Sequence, residues 1–391
     1  MTPPLKLALV SRRFPPLIGG AEKVLFYLAE GLAREGAQVT VLTSMAPGME
    51  SLPKNEERPI SGARDSGRLT VTRLKTSPLR FVGTWLYMNQ LAHWFATHRV
   101  DLAYVSMLKH DAYVAVKAGK RHGFPIVLRP EGAGATGDLA WQSWGNFGRL
   151  IGRACRQADA FVAISQAILR ELETAGYASA KVHELPNGVP LPELPWQPRP
   201  QWWRTPHAAF VGRLAPEKSL GTLIDAWPIV RNEYPTAELK LIGEGPERKA
   251  LEAQAKSLGL SVGPGGVVEF LGPVAEVTDA LRQADLFVLP SREEGMSIAL
   301  LEAMAMGVPL VASSIPGNRR LVSDFTHGRL ASPGDPAALA RVIIEQWQDF
   351  DRAYQMSRSA RNRAEHEFSI AAVSRRHLEL FEEILARRRG K

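Results

Sequence analysis

Two glutamates, Glu294 and Glu302, lie in the segment EEGMSIALLEAMAMGVP with seven residues between them, and the residues around the second are small or apolar. Ile298, Leu301 and Ala305 recur at helical spacing, so the segment predicts a helix that carries Glu302 in its first two turns. A carboxylate placed there can belong to a binding site. It can equally be a capping-box acid near a helix N-terminus, and the segment alone leaves both interpretations open.

Two cations follow the apolar run AAFV, in the segment GRLAPEKSLGTLIDAW. Arg213 and Lys218 flank a turn that leads into a predicted helix. The backbone N–H groups and the dipole of a helix N-terminus attract anions, and two side-chain cations add to this attraction. The pattern predicts a binding site for a diphosphate, with ordinary surface charge as the alternative.

Two adjacent glycines, Gly19 and Gly20, stand between the first predicted strand and the helix that follows it. Glycine lets the backbone approach a phosphate or a sugar closely. A simple turn from strand to helix would use the same residues, so this signal is weak by itself.

Both halves of the chain alternate short β-rich segments with helical segments, a pattern typical of parallel sheets covered by helices. The segment between them, PNGVPLPELPWQPRPQWWRTPH, holds too many prolines for regular structure. We expect a first domain over residues 1–190, a linker over 191–206, a second domain over 207–367, and a helix over 368–391 that packs back towards the first domain. Both domains are expected to be doubly wound and to face each other across a cleft, with ligand groups at the carboxyl ends of the strands.

Ten strands are predicted in these two domains. The first five are LKLALVS, QVTVLTS, LAYVSM, PIVLRPE and AFVAISQ, and the second five are AAFVGRL, AELKLIGEG, VVEFLGP, DLFVLPS and PLVASS. Residues 53–67 are polar and are expected to form a loose loop.

Composition narrows the function classes. A chain of 391 residues with one cysteine, Cys155, has no internal disulfide and no multi-thiolate zinc site. We find no secretory leader and no apolar stretch long enough to span a membrane, so a cytoplasmic address is expected.

The basic residues are unevenly distributed. The chain has 48 lysines and arginines against 40 acidic residues, and residues 1–200 hold 24 of the former and 16 of the latter, so the whole excess lies there. Such a half attracts a phosphorylated ligand, nucleic acid or an anionic membrane, or merely improves solubility. Residues 69–99 interleave Arg and Lys with Trp, Tyr and Phe, which suits an amphipathic segment on anionic lipid or a core helix with its basic side facing water.

Taken together, these motifs resemble those of the retaining glycosyltransferases of family 4, which have the GT-B architecture. The matching elements, in order along nearly the whole chain, are Gly19–Gly20, PNGV at 186–189, VGRLAPEK at 211–218, LIGEGPER at 241–248 and the segment 291–309. The resemblance implies transfer of a hexose from a nucleotide sugar, such as a UDP- or GDP-sugar, to a glycan, lipid or small-molecule acceptor in cell-envelope polysaccharide or glycolipid synthesis. It implies an acceptor-side first domain, a donor-binding second domain, possible contact with the inner face of the membrane, no nucleic-acid partner, no cofactor and no metal.

The resemblance also implies roles for single residues. Glu294 would approach the transferred sugar, Glu302 would hold the ribose hydroxyls, and Arg213 and Lys218 would neutralise the leaving diphosphate. The rest of the donor cradle would be the backbone at the helix start and the first-domain glycines: Gly295, Met296, Ser297, Ile298, Gly19 and Gly20.

One position departs from the family pattern. Many relatives carry a histidine after the strand that corresponds to PIVLRPE, whereas this chain has Glu131 and no histidine in RPEGAGATGD. Either Glu131 contacts the sugar or acceptor in its place, or it is a loop carboxylate paired with Arg129.

Two further motifs indicate other chemistries. Gly132, Gly134 and Gly137 match a dinucleotide-binding fingerprint, with Asp159 further on, but the helix and βαβ context are poor. Asp349 and Asp351 form an Asp-x-Asp pair in a helical surface stretch, where chance is the better explanation. A nucleotide-sugar epimerase of the same fold and a non-catalytic sugar-binding scaffold remain as alternative functions.

Overall fold

The computed structural model describes residues 3–17, 19–45, 48–49, 51–60, 62–64, 67–135, 137–200, 202–274 and 277–390. The chain forms two compact units, of which the first comprises Met1–Gly188 with Ile370–Lys391 and the second comprises Val189–Ser369.

Each unit has its own sheet and its own helices. The strands are β1 (Lys6–Val10), β2 (Gln38–Ser44), β3 (Asn55–Arg58), β4 (Arg68–Leu74), β5 (Leu102–Ser106), β6 (Ile126–Arg129), β7 (Ala160–Ala163), β8 (Val182–Glu184), β9 (His207–Val211), β10 (Glu238–Ile242), β11 (Val268–Gly272), β12 (Leu286–Leu289), β13 (Leu310–Ser313) and β14 (Arg329–Ala331). The helices are α1 (Gly20–Arg34), α2 (Arg80–Thr97), α3 (His110–His122), α4 (Asp138–Trp144), α5 (Gly148–Cys155), α6 (Gln166–Thr174), α7 (Leu220–Glu233), α8 (Arg248–Ser257), α9 (Thr278–Arg282), α10 (Ile298–Met306), α11 (Pro316–Leu321), α12 (Pro336–Gln348), α13 (Phe350–Arg363) and α14 (Ile370–Arg389).

The sheet of the first unit, as far as the structure describes it, has the strand order β3-β4-β2-β1-β5-β6-β7-β8. All neighbours are parallel except β3 and β4. The strands that follow β1 are added first on one side of it, beginning with β2, and then on the other side, beginning with β5. The carboxyl ends of β1 and β5 therefore form a topological switch point, where ligands bind in open α/β sheets.

Both faces of this sheet are buried, as a parallel sheet requires. On β1, Leu7 and Leu9 belong to one apolar cluster while Ala8 and Val10 belong to another, because successive side chains point to opposite faces. The first cluster includes side chains of α1 and α14, and the second includes side chains of α2, α3, α5 and α6.

Helix α14 follows the second unit in the chain but packs within the first. It lies so close to α1 that a β-carbon on Gly31 would come within 2.1 Å of Ser374 Oγ. Leu380, Phe381 and Ile384 of α14 contribute buried side chains to the apolar cluster that covers one face of the sheet.

The expectation of a loose loop over residues 53–67 is wrong for its central part. Residues 55–58 form β3, antiparallel to β4, while residues 61, 65 and 66 lie outside the described part of the chain. The buried guanidinium of Arg73 on β4 bonds Glu56 Oε2 at 2.6 Å. This pairing offsets the cost of burying a cation and holds the polar strand on the sheet edge.

The second unit has a six-stranded sheet within the described residues, in the order β11-β10-β9-β12-β13-β14, and every neighbouring pair is parallel. Two tryptophans of the proline-rich segment pack on this unit. Trp196 is buried and donates its indole N–H to Ala284 O at 2.8 Å, and Trp202 stacks on Phe350 with ring centroids 4.2 Å apart.

All ten predicted strands are present, and the prediction of an α/β protein with two parallel-sheet domains is confirmed. Within the part of the chain that the structure describes, no helix is both long enough and apolar enough to cross a membrane.

Candidate active site

Most of the predicted site residues lie in the second unit, on loops that follow strands. Arg213 and Lys218 follow β9, and Glu294 follows β12, the neighbour of β9 in the sheet. Because parallel strands end at the same edge, these loops meet beyond the carboxyl ends of the sheet. The loops are joined by a hydrogen bond from Arg292 N to Glu217 O of 2.9 Å.

Lys218 and Glu294 are in direct contact. The ammonium Nζ of Lys218 donates to Glu294 Oε1 at 2.6 Å, and Ser291 Oγ donates to the same oxygen at 2.7 Å. The side chains of Lys218 and Glu294 are 19% and 8% exposed, so the ion pair is screened less than a surface pair. Two donors on one oxygen fix the carboxylate, and among the described residues Oε2 accepts no hydrogen bond.

The motif LIGEGPER forms the end of β10 and the loop after it, which lies beside the loop that carries Arg213. Gly212 N donates to Ile242 O, and Leu214 N donates to Glu244 O at 3.0 Å. A β-carbon on Gly243 would lie 1.8 Å from Gly212 O, and the φ of Gly243 is +138°. Only glycine allows this approach and this conformation, so the loop carrying Arg213 is held by backbone contacts.

Three polar residues that the sequence analysis did not single out support the loop of Glu294. Ser313 Oγ, at the end of β13, donates to Ser291 O. The buried amide of Asn318 donates to Ser313 O at 3.0 Å and contacts Ser313 Oγ at 3.1 Å. The available signal was a serine at the end of each of two adjacent apolar strands. These contacts fix the backbone from which Ser291 reaches Glu294.

Helix α10 begins at the predicted place. Ser297 is its N-cap, and its side chain accepts a hydrogen bond from Leu300 N at 3.3 Å. The third helical position is therefore leucine, so the capping-box interpretation of Glu302 is wrong. Glu302 lies in the second turn and is only 8% exposed.

The N-terminal segment of α10 carries four of the predicted cradle residues. Met296 and Ser297 are buried, and Gly295 and Ile298 are half-buried. Glu294 packs against a second helix start, because a β-carbon on Gly317 of α11 would lie 2.2 Å from Glu294 O. Two helix N-termini thus lie beside the loop of Glu294, a favourable setting for an anion.

Arg213 differs from Lys218. It lies on the same loop but is exposed, and it forms no ion pair with any residue that the structure describes. Its guanidinium is therefore available to an incoming anion.

The other predicted residues, Gly19, Gly20 and Glu131, lie in the first unit. Gly19 precedes α1, and a β-carbon there would lie 2.2 Å from Glu22 Oε2, whereas a β-carbon on Gly20 would meet nothing within 4 Å. The carboxylate of Glu22 is buried and lies 2.5 Å from Arg13 Nε. A side chain at position 19 would displace the carboxylate of Glu22, so the packing of Glu22 gives Gly19 a structural role independent of any ligand.

Glu131 follows β6 and takes part in a buried polar network. Its Oε1 accepts hydrogen bonds from Arg129 Nη1 and from Ser106 Oγ, and its backbone N–H donates to Asp138 Oδ2 at 2.7 Å. Burial raises the pKa of Glu131 to about 7, since desolvation outweighs the attraction of Arg129 and the nearby charge of Asp138 acts in the same direction as burial. The pairing with Arg129 is present, and the carboxyl group titrates near neutral pH.

Asn187 is another residue whose role the sequence alone did not reveal. It belongs to the PNGV motif, and its Oδ1 accepts a hydrogen bond of 2.7 Å from Arg129 Nη2. Asn187 and Glu131 therefore hold the two ends of one buried guanidinium.

Two carboxylates from the remaining motifs have structural roles. Asp159 accepts a hydrogen bond from Ile126 N at 2.8 Å, and Asp349 caps α13 through Arg352 N at 3.3 Å. No group of three His, Cys, Asp or Glu side chains that could hold a metal ion occurs among the described residues.

Two family models match the chain, one for each unit. The model described as Glycosyltransferase Family 4 matches residues 18–192, and the model described as Glycosyl transferases group 1 matches residues 205–349. Together they include Gly19, Gly20 and Glu131 in the first unit and Arg213, Lys218, Glu294 and Glu302 in the second.

Similar proteins come from several bacteria. A glycogen synthase of Mycobacterium tuberculosis is 26% identical over 99% of this chain and 96% of its own length. A phosphatidyl-myo-inositol mannosyltransferase of Mycobacterium leprae is 29% identical over 83% of each chain. The structure of Anabaena Alr3699/HepE in complex with UDP-glucose matches with a TM-score of 0.75 and 21% identity, covering 97% of this chain and 100% of that one. These matches support the GT-B fold expected from the motifs.

Proposed function

Because the chain belongs to the family 4 glycosyltransferases, we propose that it transfers a hexose from a nucleotide sugar to an acceptor with retention of the anomeric configuration. The observation that supports this function most directly is the contact of Lys218 with Glu294 beside the N-terminus of α10. That arrangement would provide a cation for a diphosphate and a fixed carboxylate for a sugar within one loop cluster.

Departure of the nucleoside diphosphate develops negative charge on its terminal phosphate. Arg213, Lys218 and the N-terminus of α10 are the groups that would stabilise this charge. Fixed positive groups act strongly here because they need no reorganisation during the reaction. Lys218 would bridge the phosphate and Glu294, while the exposed Arg213 would bind the diphosphate from the solvent side.

Glu294 and Glu302 would hold different parts of the donor. With Oε1 of Glu294 bonded to Lys218 and Ser291, its Oε2 is the oxygen that would accept a hydrogen bond from a sugar hydroxyl. Glu302 would accept hydrogen bonds from the ribose hydroxyls. A donor with a UDP or GDP moiety fits these assignments, and neither requires a resident cofactor.

The transfer itself would be a same-face displacement. The bond between the anomeric carbon and the phosphate oxygen breaks, the acceptor oxygen bonds to that carbon on the same face, and the acceptor proton passes to the departing phosphate. No protein carboxylate serves as the nucleophile in this scheme. Glu131, in the first unit, would be ionised, and its carboxylate would accept a hydrogen bond from a hydroxyl of the acceptor or of the sugar.

We place this activity in the cytoplasm, where the acceptor would be a glycan or a lipid-linked molecule at the inner face of the membrane. The basic excess of the first 200 residues supports contact with anionic lipid. The two cations would serve the leaving group without a metal ion, so turnover is expected to persist in excess EDTA.

A panel of UDP- and GDP-sugars tests the function. Slow donor hydrolysis that releases nucleoside diphosphate is expected for at least one sugar, with release accelerated by the correct acceptor. An epimerase would change the sugar and return it without net release of the nucleotide, and a scaffold would release none. Either result would overturn the proposal.

A further inference from the structure

The first unit contains a cavity of about 820 Å³ that the donor site does not explain. This volume lies in the range of small-molecule sites. Arg12 follows β1, and Lys109 and His110 follow β5, so the cavity opens at the topological switch point of the sheet. All of its lining residues belong to the first unit.

One end of the cavity is cationic. Arg12 donates to Thr84 Oγ1 at 3.0 Å and lies 5.5 Å from the ring centre of Tyr87, and it forms no ion pair within the described chain. Lys109 lies 5.7 Å from the ring centre of Trp141. Burial, followed by the charges of Arg12 and Lys109, lowers the pKa of His110. No carboxylate lines the cavity. The charge of Lys109 is partly offset by Asp138 behind it, so the unpaired Arg12 is the main attraction for an anionic group at this end.

The outer part of the cavity is apolar and exposed. Large side chains there are between 52% and 74% exposed: Phe81, Trp85, Trp144, Phe147 and Leu150. An apolar patch beside a cavity marks a binding site for an apolar ligand or partner. Hydrocarbon surface dominates this wall, and hydroxyl-rich ligands would find few hydrogen-bond partners on it.

The backbone between α4 and α5 places one of these rings at the surface. Phe147 has φ +60°, a conformation that is costly for a bulky residue and persists only where the surroundings impose it. The next residue, Gly148, is packed so that a β-carbon would lie 2.4 Å from Gln142 O. The turn is thus held in a shape that presents Phe147 and Trp144 at the cavity.

The cationic end is linked to Glu131. Asp138 lies behind Lys109, with its Oδ1 3.6 Å from Lys109 Nζ, and its Oδ2 accepts the backbone N–H of Glu131 at 2.7 Å. Asp138 therefore connects Lys109 to the backbone of Glu131, the residue proposed to contact the acceptor.

We propose that this cavity binds the acceptor and that the acceptor is an amphiphile, with an anionic phosphate-type head at Arg12 and Lys109 and a hydrocarbon chain against Trp85, Trp144 and Phe147. The assignment of the bound molecule as acceptor rests on the proposed function. The binding chemistry does not, because it follows from the charges and exposed rings of the first unit alone.

Dodecyl phosphate, kept below the concentration at which it aggregates, is the probe, and its binding is measured by calorimetry without any nucleotide sugar. We expect it to bind at least tenfold more tightly than dodecyltrimethylammonium and inorganic phosphate, which carry only one of the two features. Trp85→Ala and Trp144→Ala should each weaken binding about tenfold, the effect of losing an aromatic contact with a hydrocarbon chain. Lys109→Gln should reduce the ratio of the affinity for dodecyl phosphate to the affinity for dodecyltrimethylammonium.

Two matched variants serve as controls. Trp203→Ala removes a tryptophan that is 59% exposed in the second unit. Lys120→Gln removes an exposed lysine of α3 that bonds Gln157 and does not line the cavity. Both should bind dodecyl phosphate like the unmodified protein. Folding of every variant is checked by its melting temperature.

Equal affinity for the two dodecyl amphiphiles would refute the anionic head, and equal affinity for inorganic phosphate would refute the hydrocarbon chain. Unchanged binding in both Trp85→Ala and Trp144→Ala would refute the location. If the protein turns over a donor but fails these binding tests, only this inference is contradicted. If it binds dodecyl phosphate as expected but turns over no donor, only the proposed function is contradicted.

Discussion

Lys218 and Glu294 lie 76 residues apart in the chain, yet Lys218 Nζ is 2.6 Å from Glu294 Oε1. The pair joins the loop after β9 to the loop after β12. In the proposed function these residues bind different parts of one donor, the diphosphate and the sugar. Their contact implies that removing the Lys218 ammonium also alters the position of Glu294. Glu294→Gln keeps an oxygen that can accept from Lys218 Nζ, so it should disturb Lys218 little.

Removing either cation should reduce turnover far more than stability. Lys218→Met and Arg213→Ala are each expected to lower kcat by about a hundredfold or more, because they remove charge that acts mainly on the transition state. Steady-state kinetics and thermal melting measure the two effects. Lys256→Ala, which removes an exposed lysine of α8, is the control and should leave both unchanged. Normal turnover in the folded Lys218 and Arg213 variants would contradict the assignment.

Substitution of Glu302 should mainly reduce nucleotide affinity, whereas substitution of Glu294 should mainly reduce kcat. Glu302→Gln is expected to weaken binding of both the nucleotide sugar and the free nucleoside diphosphate, because both contain the ribose. Glu294→Gln should leave the affinity for the free diphosphate nearly intact and lower kcat, since contacts with the moving sugar count most in the transition state. Calorimetric titration with UDP and GDP beside steady-state kinetics separates them. The reverse pattern would show that the roles are exchanged.

Glu131 should give the reaction a pH dependence near neutrality. Burial raises its pKa to about 7, and a hydrogen-bond acceptor must be ionised, so kcat/KM is expected to rise as pH increases through about 7. Glu131→Gln should be slower at high pH and should lose this rise. A pH profile of the variant that keeps the same rise would assign the titration to another group.

Asp111 should make stability fall with increasing pH. Burial raises its pKa to about 6 from the ordinary value of 3.8, so between these values the folded protein binds a proton that the unfolded chain has lost. The contribution to stability is complete below pH 3.8 and is lost as pH rises through about 6.

Denaturant unfolding of Asp111→Asn and the unmodified protein measures this effect. The variant keeps a partner for the hydroxyl of Tyr87, which lies 3.4 Å from Asp111 Oδ2. Its stability relative to the unmodified protein should increase by up to about 3 kcal/mol between pH 4 and 7. Asp351→Asn, at an exposed position, should show no such trend. A constant difference for Asp111→Asn would disprove the shift.

Local sequence patterns predicted much of the architecture. Apolar runs located ten of the fourteen strands in the described residues, and helical spacing placed Glu302 in the second turn of α10. Both signals depend on neighbouring residues only. The polar strand β3 was missed because its residues, NEER, have low strand propensity and depend on pairing with β4 and on the buried Arg73.

Long-range contacts account for what the sequence could not provide. The pairing of Lys218 with Glu294 and the support of Ser291 by Ser313 and Asn318 join segments that are distant in the chain. The aromatic and basic residues of segment 69–99 do not form one amphipathic segment, because residues 69–74 belong to β4 and α2 begins at Arg80. Helix α2 lines the cavity together with the turn that holds Phe147. The spacing of side chains along one helix gives no information about which distant segment of the chain will pack beside it.

The position of α14 has a consequence for the order in which the protein can fold during synthesis. Leu380, Phe381 and Ile384 complete an apolar cluster of the first unit, yet they leave the ribosome after the whole of the second unit. Until about 384 residues have been translated, one face of the first sheet lacks these side chains, although chains usually fold from the N-terminal domain onwards. The second unit, whose residues are contiguous, can therefore reach its native packing before the first, and the nascent first unit exposes apolar surface of the kind that chaperones bind.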